Sequence, residues 1–224
     1  MDEPNIGRDE RREALRGLAR INRASRVAQR IWQSITIDSD VRQLTMLDVA
    51  SGGGDVAIAL AQLVRRDNVR LDIVLLDRDA DGLALAAAEA QRAGIVIRTI
   101  VADALAQPWP DGPFDLVTCS LFLHHLTKEQ TIALLKRMAE AAQGLVIISD
   151  LRRSIMGWLL ARVGTRILSR SPIVHHDGPI SVRAAWTVYE LKKMAVAAGM
   201  ENAGVRRCWP WRMMLTWQRD DKGQ

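Results

Sequence analysis

The chain has 224 residues, 48% of them hydrophobic, and a formal net charge of +5. That length suits one α/β domain with a decorated end, and the composition can bury a core. No apolar run is long enough to span a bilayer and the charged beginning lacks a signal-peptide core, so neither a membrane-spanning nor a secreted protein is expected.

Residues 1–7 read as frayed. From Arg8 to Ile35, Leu15, Leu18, Ile21, Ala28, Ile31, Trp32 and Ile35 recur at helical spacing, with seven arginines between Arg11 and Arg30 on the polar side. Such a lead packs as a lid on the domain that follows, or meets nucleic acid or a membrane surface. Asp38-Ser39-Asp40 breaks it. A core alternation follows: strand Thr45–Val49, helix Val56–Arg66, strand Leu71–Leu76, helix Asp81–Ala93 closed by Gly94, and strand Val96–Val101. After a Pro-rich loop over 104–113 come strand Phe114–Ser120, a helix opened by the capping-box pair Thr127 and Gln130, and strand Gly144–Ser149. Continuous apolar strands alternating with helices predict a parallel sheet covered on both faces.

Beyond Asp150, residues 154–170 are amphipathic, with Ile155, Met156, Trp158, Leu159, Val163, Ile167 and Leu168 set among arginines. Pro172–Pro179 reads as irregular. Thr187 and Glu190 open another helix, ended by Gly199, and Met200–Trp209 with Trp211–Arg219 reads as a closing strand pair. The organisation expected is one domain over 1–224: a helical lead over 1–40, a cofactor-binding core over 41–150, a substrate-side insertion over 151–186, and a closing helix and strand pair over 187–224. The two distant cysteines, Cys119 and Cys208, point to reduced thiols in a cytoplasm.

The chemistry gathers around Met46-Leu47-Asp48-Val49-Ala50-Ser51-Gly52-Gly53-Gly54-Asp55. Three glycines between a strand and a helix let a ligand rest on bare backbone, and the helix offers its free N–H groups there. In an open parallel sheet, ligands bind beyond the carboxyl ends of the strands. Those ends hold Asp48, Asp77, Asp103 and Ser120. Asp77 falls about twenty residues past the turn, where a carboxylate accepts ribose hydroxyls, and Asp103 is placed to accept an exocyclic amine. Gly52-x-Gly54-x-x-Ala57 also fits a dinucleotide fingerprint, so an NAD-dependent oxidoreductase stays open on spacing alone.

This pattern resembles the class I S-adenosylmethionine-dependent methyltransferases, in their small-molecule branch related to ubiquinone and menaquinone C-methyltransferases. Asp48 through Gly54 is similar to their acid-x-Gly-x-Gly-x-Gly motif, with Ala50 where the first glycine is usual. Asp77 matches the ribose-binding acid, Ala102-Asp103-Ala104 the adenine-side acid, and Phe114-Asp115-Leu116-Val117 through Leu123-His124-His125-Leu126 the fourth strand and its exit. The resemblance covers residues 44–149. It implies a doubly wound, mostly parallel seven-stranded α/β sheet of Rossmann-like form, with an N-terminal helical lid and a helical insertion after strand five. It also implies S-adenosyl-L-methionine as cofactor, held by Asp48, Ala50, Ser51, Gly52, Gly54, Asp77, Arg78, Asp103, Ala104 and Ser120.

The expected reaction is methyl transfer to an oxygen or carbon of a small lipophilic or phenolic metabolite. A base helps when the acceptor is a phenol or acidic carbon. The candidates are His125, after strand four, and His176, beside Asp177. Phe122, Trp109, Met156, Trp158, Leu159 and Trp186 are candidate lining. No metal is expected, because adjacent histidines on an extended chain point opposite ways. The run Ser120-Leu121-Phe122-Leu123 lacks the pattern of DNA amino methyltransferases, so nucleic acid is not an expected partner, while transient membrane-surface contact is compatible with the basic helix. The remaining alternative is a non-catalytic protein that binds nucleic acid or anionic membrane through its Arg-rich ends.

Overall fold

Seven strands form one sheet in the order β3-β2-β1-β4-β5-β7-β6. The structure, a computed structural model, describes residues 7–35, 41–106, 108–169 and 171–219. The strands are β1 (Gln43–Val49), β2 (Arg70–Asp77), β3 (Ile97–Val101), β4 (Phe114–Ser120), β5 (Ala142–Leu151), β6 (Gly204–Cys208) and β7 (Arg212–Gln218). The first five pair in parallel, while β7 runs antiparallel to β5 and to β6.

The helices are α1 (Arg8–Ala24), α2 (Val27–Trp32), α3 (Asp55–Val64), α4 (Ala80–Arg92), α5 (Lys128–Ala141), α6 (Ile155–Leu168), α7 (Pro172–Ala184) and α8 (Val188–Ala197). Two buried clusters flank the sheet. One joins Leu47, Val49 and Val117 to Leu134, Leu135 and Met138 of α5 and to Leu191 and Met194 of α8. The other joins Met46, Ile73 and Leu75 to Leu60 and Val64 of α3, Leu83 of α4 and Ile31 of α2. The parallel sheet is therefore buried on both faces, which explains its unbroken apolar strands.

The chain moves outward from β1 to β3, then returns to β4 on the other side of β1. Neighbouring crossovers leave in opposite directions there, and a crevice opens at the carboxyl edge. Register carries the strand ends to that edge: Val49 pairs with Leu76 and Cys119, Asp77 with Val101, and Ser120 with Ser149.

Two expectations change. The helical lead is two helices, broken at Arg26, which stands at φ +51°. The expected break at Asp38–Asp40 and the frayed reading of residues 1–6 lie outside the described residues. Pro172–Pro179 is not irregular but the first part of α7. Pro172 occupies the first turn, where its missing N–H costs nothing. Gly178 serves packing, since a Cβ there would lie 2.6 Å from Thr165 Cγ2 on α6. Both capping boxes form, at Thr127 with Gln130 and at Thr187 with Glu190.

Candidate active site

Two cavities meet over the carboxyl edge. The larger, about 920 Å³, is lined by Leu15, Leu18 and Asn22 of α1, by the turn after β1, and by the exits of β2, β3 and β4. Of the residues expected to hold a cofactor, Asp48, Ala50, Ser51, Gly52, Asp77, Arg78, Asp103, Ala104 and Ser120 all line it. Gly53, which the motif reading passed over, lines it as well.

Gly54 does not line the cavity. It stands at φ +66°, and a Cβ there would lie 2.7 Å from Leu75 Cδ1 and 3.0 Å from Ala86 Cβ. Its bareness lets α3 close on β2 and α4. Gly52, at φ +53°, faces Leu15 of α1 instead, so α1 roofs the glycine turn as a lid.

Asp77 has a double task. Its Oδ2 accepts from the Gly52 N–H at 2.7 Å and its Oδ1 from the Asp79 N–H at 2.8 Å, so the carboxylate shapes the turn it faces. Burial pushes its carboxyl upward, and those two bonds partly oppose the rise. Asp103 Oδ1 accepts from the Leu105 N–H at 2.8 Å, closing the bend after β3. Asp48 is buried, and its Oδ1 accepts from Thr118 Oγ1 at 2.6 Å. Burial first, and then the nearby charges of Asp55 and Asp77, raise its carboxyl from 3.8 to about 7, against the Thr118 bond.

The residues fit S-adenosyl-L-methionine. Ser51 and Ser120 line the cavity, and their buried hydroxyls have no hydrogen-bond partner among the described residues. Buried polar atoms are rarely left unpaired, so a ligand with polar groups completes them. Bare peptide at Gly52 and Gly53 admits close approach, and the carboxylates suit hydroxyls and a cationic ligand.

The second cavity, about 280 Å³, is walled by Leu18, Ile21 and Ala24 of α1, Leu160, Ala161 and Leu168 of α6, Val174 and Val182 of α7, and Trp209–Arg212. Leu18, Leu121 and His125 line both cavities and so mark the junction. Leu121 stands at φ +56° there, a backbone state that a branched residue seldom adopts outside functional sites.

His125 therefore sits where expected. His176 does not: its side chain is exposed, contacts Asp177 Oδ1 at 3.3 Å, and lines neither cavity. The sequence reading missed His124. This buried residue lines the apolar chamber, and its Nδ1 lies 2.6 Å from Asp150 Oδ1. Burial alone would raise the Asp150 carboxyl, but its pairing with His124 and the bond from the Leu151 N–H outweigh it and hold it below the usual range. The only sequence signal was a polar residue at the end of an apolar strand. Arg212, also buried, donates from Nη2 to Asn22 Oδ1 at 2.7 Å, and Asn22 Nδ2 donates to Asp55 Oδ2 at 3.0 Å. That chain ties β7 to α1 and to the start of α3.

Of the expected greasy lining, Phe122 lines the larger cavity. Met156, Trp158, Leu159, Trp109 and Trp186 line neither. Trp158 lies under Arg183 at 5.0 Å, Trp109 under Arg137 at 4.4 Å, and Trp186 Nε1 donates to Leu123 O. Among the described residues, no three His, Cys, Asp or Glu side chains cluster as a metal site requires.

Comparison with known proteins agrees with this geometry. The chain is similar to the S-adenosylmethionine-dependent methyltransferases in sequence and in fold. Residues 46–143 match the family described as Methyltransferase domain. A ubiquinone biosynthesis O-methyltransferase of Methylococcus capsulatus is 34% identical over 163 residues, covering 71% of this chain and 64% of that one. A ubiquinone/menaquinone biosynthesis C-methyltransferase of Edwardsiella ictaluri is 29% identical, covering 77% of this chain and 73% of that one. The chain thus spans just under two thirds of the first relative's length. Among solved structures, magnesium protoporphyrin IX methyltransferase from Synechocystis, with S-adenosylhomocysteine bound, superposes with a TM-score of 0.63 at 17% identity, over 88% of this chain and 83% of that one. The dinucleotide and non-catalytic readings find no support in these comparisons.

Proposed function

We propose that this chain transfers a methyl group from S-adenosylmethionine to an ionisable oxygen or acidic carbon of a small lipophilic acceptor. One observation carries the reading. A polar, glycine-floored cavity and an apolar chamber share one junction, and a buried His–Asp pair lies on the chamber side.

When bound, the cofactor supplies an electrophilic methyl on a sulfonium. Asp77 and Asp103 would hold its hydroxyl and amine groups, Gly52 and Gly53 would support it through bare backbone, and Ser51 and Ser120 would pair with its polar atoms. The apolar chamber excludes water and aligns the acceptor. Alignment of this kind is worth on the order of 7–11 kcal/mol at most. Asp150 accepts from His124 Nδ1–H, which fixes the tautomer and leaves Nε2 as the basic nitrogen. His124 Nε2 takes the acceptor's proton, and Asp150 positions the ring and steadies the cation that forms. His125 lies tilted beside it, ring centroids 4.2 Å apart, and shapes the passage between the cavities.

The test is methyl transfer from labelled S-adenosylmethionine to a panel of alkylated phenols and quinols, with calorimetry of cofactor binding alongside. His124→Gln should lower turnover by about 10²–10⁴-fold with cofactor affinity unchanged. Asp150→Asn should lower turnover and shift its pH profile. Asp77→Ala should abolish cofactor binding. No cofactor binding by the parent protein, or full turnover in His124→Gln, would refute the reading.

A further inference from the structure

Helix α6 faces the wrong way for an ordinary amphipathic helix. Its small residues Gly157, Ala161 and Gly164 line the apolar chamber, and a Cβ on Gly157 would lie 3.1 Å from Trp211 Cβ. Most of its large residues point outward. Ile155 is 82% exposed, Ile167 76%, Val163 58% and Met156 56%, with Leu159 and Leu160 exposed beside them. At 3.6 residues per turn these side chains share one arc, opposite the packed face. Ile180 of α7 and Trp209 before β7 are also exposed. Single exposed apolar residues are ordinary, but a continuous row marks an interaction surface.

Arg162 and Arg166 border the row. From Arg152 to Leu168 the chain carries four arginines and no carboxylate. Leu160 belongs both to the outer row and to the chamber lining. One helix thus forms an apolar outer surface and a wall of the apolar chamber.

We propose that α6 lies on an anionic bilayer surface, with the row from Ile155 to Ile167 among the acyl chains and Arg162 and Arg166 at the lipid phosphates. The chamber behind the helix draws its lipophilic acceptor from that surface, a step that rests on the function proposed above, whereas the docking does not. Charge favours a bilayer over a second copy of this chain. A two-fold contact through this face would set the same arginines against one another with no carboxylate on the helix to pair them. Anionic lipid phosphates complement them instead.

Flotation of the full chain with phosphatidylcholine vesicles, with and without phosphatidylglycerol, tests the assignment. The protein should float with the anionic vesicles and be partly released by salt. Ile155→Ser/Val163→Ser/Ile167→Ser should weaken partitioning about tenfold or more, and Arg162→Gln/Arg166→Gln should remove most of the preference for anionic lipid. None of these residues lines either cavity, so both variants should keep cofactor binding by calorimetry, which shows that they fold. Failure of the parent to float while it still binds cofactor overturns the proposal. So does a triple variant that floats like the parent, or a parent dimer that the triple variant turns into monomers. Flotation by a parent that binds no cofactor would uphold the docking surface and reject the methyl-transfer reading.

Discussion

Replacing Asp48 with asparagine isolates the electrostatic cost at the centre of the site. The Asp48 carboxyl is buried beneath the glycine turn, bonded to Thr118 and close to Asp55 and Asp77. Raising it from 3.8 to about 7 corresponds to roughly 4 kcal/mol against ionisation in the folded chain. The sign follows from proton counting. Below the unfolded value Asp48 is neutral in both states and costs nothing. Between 3.8 and about 7 the unfolded chain releases a proton that the folded chain retains, so stability falls as pH rises. Above that window both states are ionised and the loss is constant.

Asparagine has the same shape, still accepts from Thr118 and never ionises. Its stability relative to the parent should therefore rise by up to about 4 kcal/mol between about pH 4 and about pH 8. Urea unfolding of both proteins across that range measures the difference. Taking the difference cancels carboxyls such as Asp115 and Asp150, which are held low and act in the opposite direction. Any cost of burying the asparagine amide does not vary with pH and leaves the slope intact. A flat difference, or one that falls with pH, would refute the assignment.

The same carboxyl makes cofactor binding proton-linked: a cationic ligand in its cavity favours the ionised form, so binding at pH 7 should release up to about half a proton. Calorimetry in buffers of different ionisation enthalpy reads that release, and Asp48→Asn should abolish it. Ala50 stands at φ +54°, where a Cβ is strained, so Ala50→Gly should stabilise by about 0.5–1 kcal/mol, seen as a rise in Tm. Gly54→Ala should destabilise by about 1–3 kcal/mol through its clash with Leu75 and Ala86, whatever its effect on turnover; an unchanged Tm would show that α3 can shift to accommodate it. Arg212 is buried, drawn down to about 10 by that burial, and faces Asp150 and Asp55. Arg212→Leu leaves those carboxylates without their cation and should cost about 3–5 kcal/mol in chemical unfolding.

Local chemistry made most of the larger cavity's lining legible in the sequence. Glycines, strand-end acids and capping boxes act within a few residues, and a buried parallel strand announces itself as an apolar run. Asp48, Asp77 and Asp103 were therefore identifiable before their geometry was known. Other positions were not. Gly54 and Gly52 look alike in sequence, yet one packs α3 against β2 and the other floors a cavity. Prolines at 172 and 179 suggested a broken segment, and packing against α6 made it a helix.

What the chain order alone determined was the sheet, its carboxyl-edge crevice and the acids placed there, because each depends on periodicity and turn chemistry confined to short stretches. Only tertiary structure distinguished the surroundings of the histidines. The pairing of Ser120 with Ser149 carries Asp150 beside the exit of β4, so His124 acquires a carboxylate partner while His176 remains exposed away from both cavities. The outward face of α6 was decided the same way: a helical wheel gives the width of an apolar arc, but the packing of small residues against the chamber determined which side met solvent.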